Sequence, residues 1–479
     1  HIAPLSDYIP DYQQGASAMF AHALTRTRRT TKLFRSFSSI PNLETMPKAS
    51  VSKLSNGMRV ASEPFPGDSV TVGVWVDTGS RYETEENNGV AHFLEHMFFK
   101  GTKNRTQSQL EMEIENMGGH LNAYTSREQT VFFARVFKKD TGKALEILSD
   151  ILQNSNFDQD YIDREKSTIL REMQEVEGQV EEVVFDRLHE TAFRGTSLGR
   201  TILGPTENIN AMNREMIKDY VDTHYTAPRM VVVGAGAIDH NELVKLADTH
   251  FGNVPAESKK PVTLEPAVYT GSEIRMRYDD MQEAHIAYAL PIGGWTDPDT
   301  FPFLVMQHMI GNWEEQVPGG QFSRVPIVQK SAKLRMAKKL SAFCTQYSDV
   351  GLFGIYAVGE AQALDDLMYN VQGTITEFSY EVDETLLEQA KKTLIISTLG
   401  LADGSTQVCE ELGRQMLCYG RRMHPLETVA RIQAVDAAAI KAAAGKYLYD
   451  QCHAMAAIGP THEIKDYVQM RRGTYRLDC

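Results

Sequence analysis

Cysteine is scarce and poorly placed for scaffolding. The 479-residue chain has five, at 344, 409, 418, 452 and 479, an odd number without a C-x-x-C pair. This argues against a disulfide framework or a cysteine zinc site and fits a reducing compartment such as cytosol or matrix. Long apolar runs are also missing. Stretches such as Met230–Ile238 fall far short of the ~20 residues a membrane helix needs, so no transmembrane segment is expected. Positive charge is in deficit, with 49 Lys and Arg against 63 Asp and Glu and a net charge of −14. That balance disfavours nucleic acid and favours basic partners. Acids, in turn, are absent between Asp11 and Glu44, where Arg26, Arg28, Arg29, Lys32 and Arg35 fall among Ser, Thr, Ala and Phe. Such a composition matches a mitochondrial transit segment. Since Asp7 and Asp11 precede it and the chain opens on His1, residues 1–50 are expected to be a retained basic extension, either a disordered arm or a segment docked on a partner.

What is present is a globular composition, 42% hydrophobic over a length that calls for at least two domains. The most informative stretch is His92-Phe93-Leu94-Glu95-His96. On a helix, residues four apart share a face, so His92 and His96 present two imidazoles to one metal with Glu95 beside them, the inverted zincin order. A hydrolytic zinc takes three protein ligands and leaves a position for water, and Glu172 in Ile169–Glu177 is the candidate third ligand.

An internal repeat of roughly 220 residues indicates duplicated domains. The strand-like Thr130–Phe137 leads into helical patterns at 141–152 and 157–170; Gly351–Val358 leads likewise into patterns at 361–371 and 382–394. The Pro-rich, polar stretch 253–266 reads as a linker. The expected layout is an extension at 1–50, a catalytic domain at 51–254, a linker at 255–271 and a homologous non-catalytic domain at 272–479. Each domain is expected to be α+β, a mainly antiparallel sheet packed with helices. In the second copy Leu304, Gln307 and His308 stand opposite His92, Glu95 and His96, while Ala390 and Ser397 stand opposite Glu165 and Glu172. One histidine without carboxylates holds no zinc, so that half is expected to be silent.

Asn87–Thr102, Gly118–Glu128 and the Glu172 segment together resemble the pitrilysin/insulinase family of metallopeptidases, from about Val51 to the C-terminus. The resemblance implies one zinc on His92, His96 and Glu172, with Glu95 as general base and Glu165, seven residues before Glu172, as an auxiliary acid. It is closest to the branch that removes N-terminal presequences from imported mitochondrial proteins in the matrix. In that branch the acids matching Glu182 and Asp186 bind a presequence arginine. On residues alone, this i,i+4 pair on the expected helical continuation of Glu172 reads either as an arginine site or as a solvated acidic face. The resemblance also makes Phe99 the pocket for the side chain after the cut and Asn122, Ala123 and Tyr124 an edge strand that holds extended peptide. Tyr347 corresponds to a tyrosine that reaches the site from the second half, although Cys344 stands where the family has Asn. Such enzymes need an alpha-type partner with a long glycine-rich loop. This chain offers only Pro318-Gly319-Gly320, so it is expected to be inactive alone. The core subunits of ubiquinol:cytochrome c reductase, respiratory complex III, belong to the same family, often as scaffolds. The implied roles are therefore peptidase subunit, complex III core subunit, or both, with other complex III subunits as further partners in the latter cases.

Overall fold

The computed structural model describes residues 47–400 and 404–475. Most of the expected extension at 1–50 lies outside the described residues.

Two six-stranded sheets form the frame. The first runs β1-β2-β6-β3-β5-β4 and comprises β1 (Ser50–Lys53), β2 (Arg59–Pro64), β3 (Ser69–Val76), β4 (His120–Thr125), β5 (Thr130–Phe137) and β6 (Met230–Gly236). The second runs β7-β12-β8-β11-β10-β9, from β7 (Glu273–Arg277), β8 (Ala284–Gly293) and β9 (Asn312–Glu314) to β10 (Lys339–Gln346), β11 (Val350–Gly359) and β12 (Ala454–Gly459). Pairing is antiparallel except between β2 and β6 and between β7 and β12. The order β2-β6-β3-β5-β4 thus recurs as β7-β12-β8-β11-β10, with β1 and β9 as additions at opposite edges. Each half is α+β.

Helices of the first half are α1 (Val90–Met97), α2 (Gln107–Asn116), α3 (Thr141–Asn154), α4 (Gln159–Glu177), α5 (Val180–Ala192), α6 (Thr206–Ala211), α7 (Arg214–His224) and α8 (His240–Phe251). In the second half α9 (Thr300–Ile310) follows β8 as α1 follows β3. Then come α10 (Pro326–Leu334), α11 (Leu364–Glu377), α12 (Glu384–Gly400) and α13 (Ser405–Cys418). Between Phe251 and Glu273 the chain forms no helix or strand.

β3 alternates by residue type yet is buried from Val70 through Val76, because both faces of the sheet are covered. Val70, Val72, Val74 and Val76 pack with α1, α3 and α7 in one core. Trp75 faces the other way, onto Val408, Cys409, Leu412 and Met416 of α13. A Cβ on Gly413 would overlap the Trp75 ring, so glycine permits this close helix–sheet approach. The second half receives the converse: Val184, Leu188 and Ala192 of α5 pack on Ala287, Ala289, Tyr356 and Ala456 of the second sheet. Each half therefore lends a helix to the other, an exchange that helical periodicity does not announce.

Candidate metal centre

The helix carrying the histidines is only eight residues long, and its start is held from outside. Glu83, 3% exposed, accepts hydrogen bonds from Asn88 Nδ2 (2.7 Å) and Gly89 N (2.9 Å) on Oε2 and from Ala91 N (2.7 Å) on Oε1. Burial pushes its carboxyl up to about 7, against the pull of those three donors. An amide has one acceptor oxygen, so Glu83→Gln strands at least one buried donor. Thermal or urea unfolding is expected to show a loss of about 1–3 kcal/mol, and an unchanged midpoint would refute this anchoring role. Phe93, Leu94 and Met97 turn into the core, which leaves His92, Glu95 and His96 on the face toward α4.

On α4, Ile162 and Ile169 anchor the inner side, while Glu165 and Glu172, two turns apart, face the histidines. Glu172 Oε2 lies 3.4 Å from His92 Nε2 and 3.3 Å from His96 Nε2. One ligand atom from each of the three residues falls within 4.8 Å of the others. His92 Nε2 is buried and, apart from the 3.4 Å approach of Glu172 Oε2, makes no hydrogen bond among the described residues. Two imidazole nitrogens and a carboxylate oxygen around one point fit a divalent transition metal. His96 is oriented from behind: Nδ1 lies 3.3 Å from Glu165 Oε2, and Glu165 Oε1 is 2.8 Å from Lys100 Nζ. That carboxylate–imidazole contact points Nε2 at the shared centre. Burial lowers the His96 pKa, but hydrogen bonds to Glu165 and Glu172 outweigh it and carry the ring up to about 9. For Glu172, burial raises the carboxyl, and His92 and His96 overcome that to hold it far below the usual range. Glu165 is also lowered, burial being outweighed by His96 and Lys100.

Glu95 Oε2 accepts a 2.7 Å hydrogen bond from Thr125 Oγ1 and stands 4.0 Å from His92 Nδ1. Thr125 ends β4, the edge strand that holds Asn122, Ala123 and Tyr124. Ala123 packs into the core, and Tyr124 is 37% exposed. Phe99 packs at the margin of that core, just past the helix. Thr125, Lys100 and Glu83 have no motif that marks them as site residues in the sequence; Thr125 alone has a signal, as the last residue of the strand expected to hold peptide.

Two expectations need correction or qualification. Glu182 and Asp186 do not lie on a continuation of the Glu172 helix: α4 ends at Glu177, and after Gly178-Gln179 a separate helix, α5, begins at Val180. The break redirects α5 onto the second sheet. Asp186 Oδ1 is 2.8 Å from Arg127 Nη2, so this acid already has a cation, while Glu182 is solvent-exposed. Tyr347 is buried and donates its hydroxyl to His189 Nε2 at 2.8 Å, while His189 Nδ1 donates to Phe185 O at 2.7 Å. Burial and nearby Arg127 keep His189 neutral. In the second half Gln307 Nε2 donates to Ala342 O, His308 Nδ1 donates to Leu304 O, and Ala390 is buried. The one histidine there has no acid of α12 matching Glu172.

A duplicated α+β frame with an inverted histidine motif on one helix and a distant glutamate on another defines a metallopeptidase of the two-lobed type. Residues 59–206 match the insulinase family, peptidase family M16, and residues 211–394 match the peptidase M16 inactive domain. The chain belongs to the M16 metallopeptidase family. It is 49% identical over 433 residues to the probable mitochondrial-processing peptidase subunit beta of Arabidopsis thaliana, covering 90% of this chain and 82% of that protein. Against the human mitochondrial-processing peptidase subunit beta, identity is 48%, covering 89% and 87%. For the Blastocladiella emersonii beta subunit it is 49%, covering 91% and 94%. The fold also matches a chain in a structure titled "Complex III2 from Candida albicans, Inz-5 bound", with TM-score 0.80 and 20% identity over 89% of this chain and 100% of that one.

Proposed function

We propose that this chain is the zinc-bearing, beta-type subunit of a mitochondrial endopeptidase that removes N-terminal presequences in the matrix. The observation that carries the reading is the convergence of His92, His96 and Glu172 in the first half, with Glu95 alongside. Zinc, when bound, supplies a polarised carbonyl and a water acidified towards neutrality. Glu95 takes the water's proton and returns it to the leaving amine, its other face held by Thr125. Glu165 keeps His96 aimed, with Lys100 as its counter-ion. The open edge of β4 holds extended peptide by main-chain pairing, with Phe99 receiving the side chain beyond the cut. Glu182 and Asp186 recognise a presequence arginine, the latter in company with Arg127. Tyr347 contributes indirectly, by positioning α5 through His189.

In the metal-free chain His96 is protonated at neutral pH and must give up that proton before Nε2 serves as a ligand. Zinc affinity should therefore rise about tenfold per pH unit and level off near about 9. Proton release on zinc addition in weak buffer checks this, and a pH-independent affinity between 7 and about 9 would refute it.

The chain is also proposed to serve as a core subunit on the matrix face of complex III, a role its fold accommodates. No helix among the described residues is long and apolar enough to cross a membrane, so attachment would run through other subunits. A purely scaffolding role is the competing reading. The deciding assay is cleavage of an arginine-bearing presequence peptide with and without an alpha-type partner. Cleavage by the pair alone, abolished by chelation and restored by zinc, is expected; no cleavage by the zinc-loaded pair would leave the scaffold.

A further inference from the structure

Asp186 is not a vacant cation site. Arg127 Nη2 holds its Oδ1 at 2.8 Å, with the two side chains 11% and 32% exposed. Arg127 has little freedom to leave. Its turn, between β4 and β5, is pinned by Ser80 N to Ser126 O and Arg81 N to Arg127 O, and Glu128 accepts from Ser348 of the second half. A side chain at Gly79 would collide with the backbone of Ser126, so the turn is also packed from below. Arg127 Nε is buried with no hydrogen-bond partner among the described residues. Withdrawing Asp186 would strand a largely buried guanidinium beside a neutral His189.

We propose that Arg127 is a specificity-determining residue that makes Asp186 selective for arginine over lysine in a bound peptide. The proposal rests on the presequence-processing reading above. A carboxylate has two oxygens, so an incoming cation shares Asp186 through Oδ2 while Arg127 keeps Oδ1. Beside a fixed positive group, an ammonium is a compact, strongly hydrated point charge that meets the repulsion in full. A guanidinium spreads its charge over a plane and forks its donors across several acceptors, so it keeps more of its binding in the same place. Arg127 thus acts by penalising the wrong cation, an element of selectivity that attraction to the two acids alone does not supply.

The test uses the full chain with its alpha-type partner and two presequence peptides that differ only by Arg or Lys near the cut. The wild-type pair should prefer the arginine peptide. In Arg127→Gln that preference should narrow by about tenfold, chiefly through a lower KM and higher kcat/KM on the lysine peptide. Generic damage does not produce such a gain. An unchanged preference, or equal losses on both peptides, would overturn the proposal. Where Arg127→Gln is too unstable to assay, Arg127→Gln combined with Asp186→Asn leaves a neutral pair. Compared with Asp186→Asn alone, that double variant should gain kcat/KM on the lysine peptide more than on the arginine peptide, and absence of the gain would equally overturn the proposal. Failure of the wild-type pair to cleave either peptide defeats the processing reading itself, and this inference with it.

Discussion

Glu95→Gln is expected to leave the metal in place and cut kcat on a presequence peptide by about a hundred- to ten-thousand-fold. The metal stays because the three atoms that converge belong to His92, His96 and Glu172. Glutamine matches glutamate in size, and its amide oxygen still accepts from the Thr125 hydroxyl, so local packing survives. What would be lost is the oxygen proposed to take a proton from water. Steady-state kinetics of the reconstituted pair, with metal content measured on the same sample, checks both halves of the expectation. Turnover near wild type would remove Glu95 as the base, and loss of metal would show that it belongs to the ligand set.

The second large effect concerns the bond between the halves. The Arg81 side chain is fully buried and sits where three segments meet. Nη1 donates to Glu128 Oε1 (2.6 Å), Ser348 Oγ (3.0 Å) and Asp349 Oδ1 (2.8 Å); Nη2 donates to Asp349 Oδ2 (2.7 Å) and Glu265 O (3.0 Å). One guanidinium thereby ties the first half, the connecting stretch and the β10–β11 turn. Arg81→Met fills similar space but leaves Glu128, 11% exposed, facing an apolar chain. A loss of about 3–5 kcal/mol is expected in denaturant unfolding, because breaking a buried pair strands the remaining charge. Adding Glu128→Gln and Asp349→Asn should recover part of it. A loss within the ~0–1 kcal/mol typical of surface pairs would show that solvent reaches the node.

The candidate metal cluster was legible for a local reason: i,i+4 spacing on a helix puts two rings on one face regardless of what surrounds them. Glu165 and Glu172 were legible in the same way, as residues two turns apart, with the family resemblance bridging the 76 positions from His96 to Glu172. The duplicated α+β frame was visible in its repeated strand–helix–helix order. Residues whose partners are remote in sequence were not legible. Nothing local announces that α5 and α13 pack on each other's sheets, since an apolar stripe fits any complementary face. Gly178-Gln179 gave too weak a stop to separate α5 from α4, yet that break sets the direction of Glu182 and Asp186. The pairing of Asp186 with Arg127 joins segments 59 residues apart in the first half, and that of Tyr347 with His189 arises only once the halves have met.

The most direct test is the metal content of the purified full-length chain beside its Glu172→Ala and His308→Ala variants. One zinc per wild-type chain is predicted, lost with Glu172→Ala and kept with His308→Ala. Zinc retained at full stoichiometry in folded Glu172→Ala, or lost from folded His308→Ala, would contradict a single centre built from His92, His96 and Glu172.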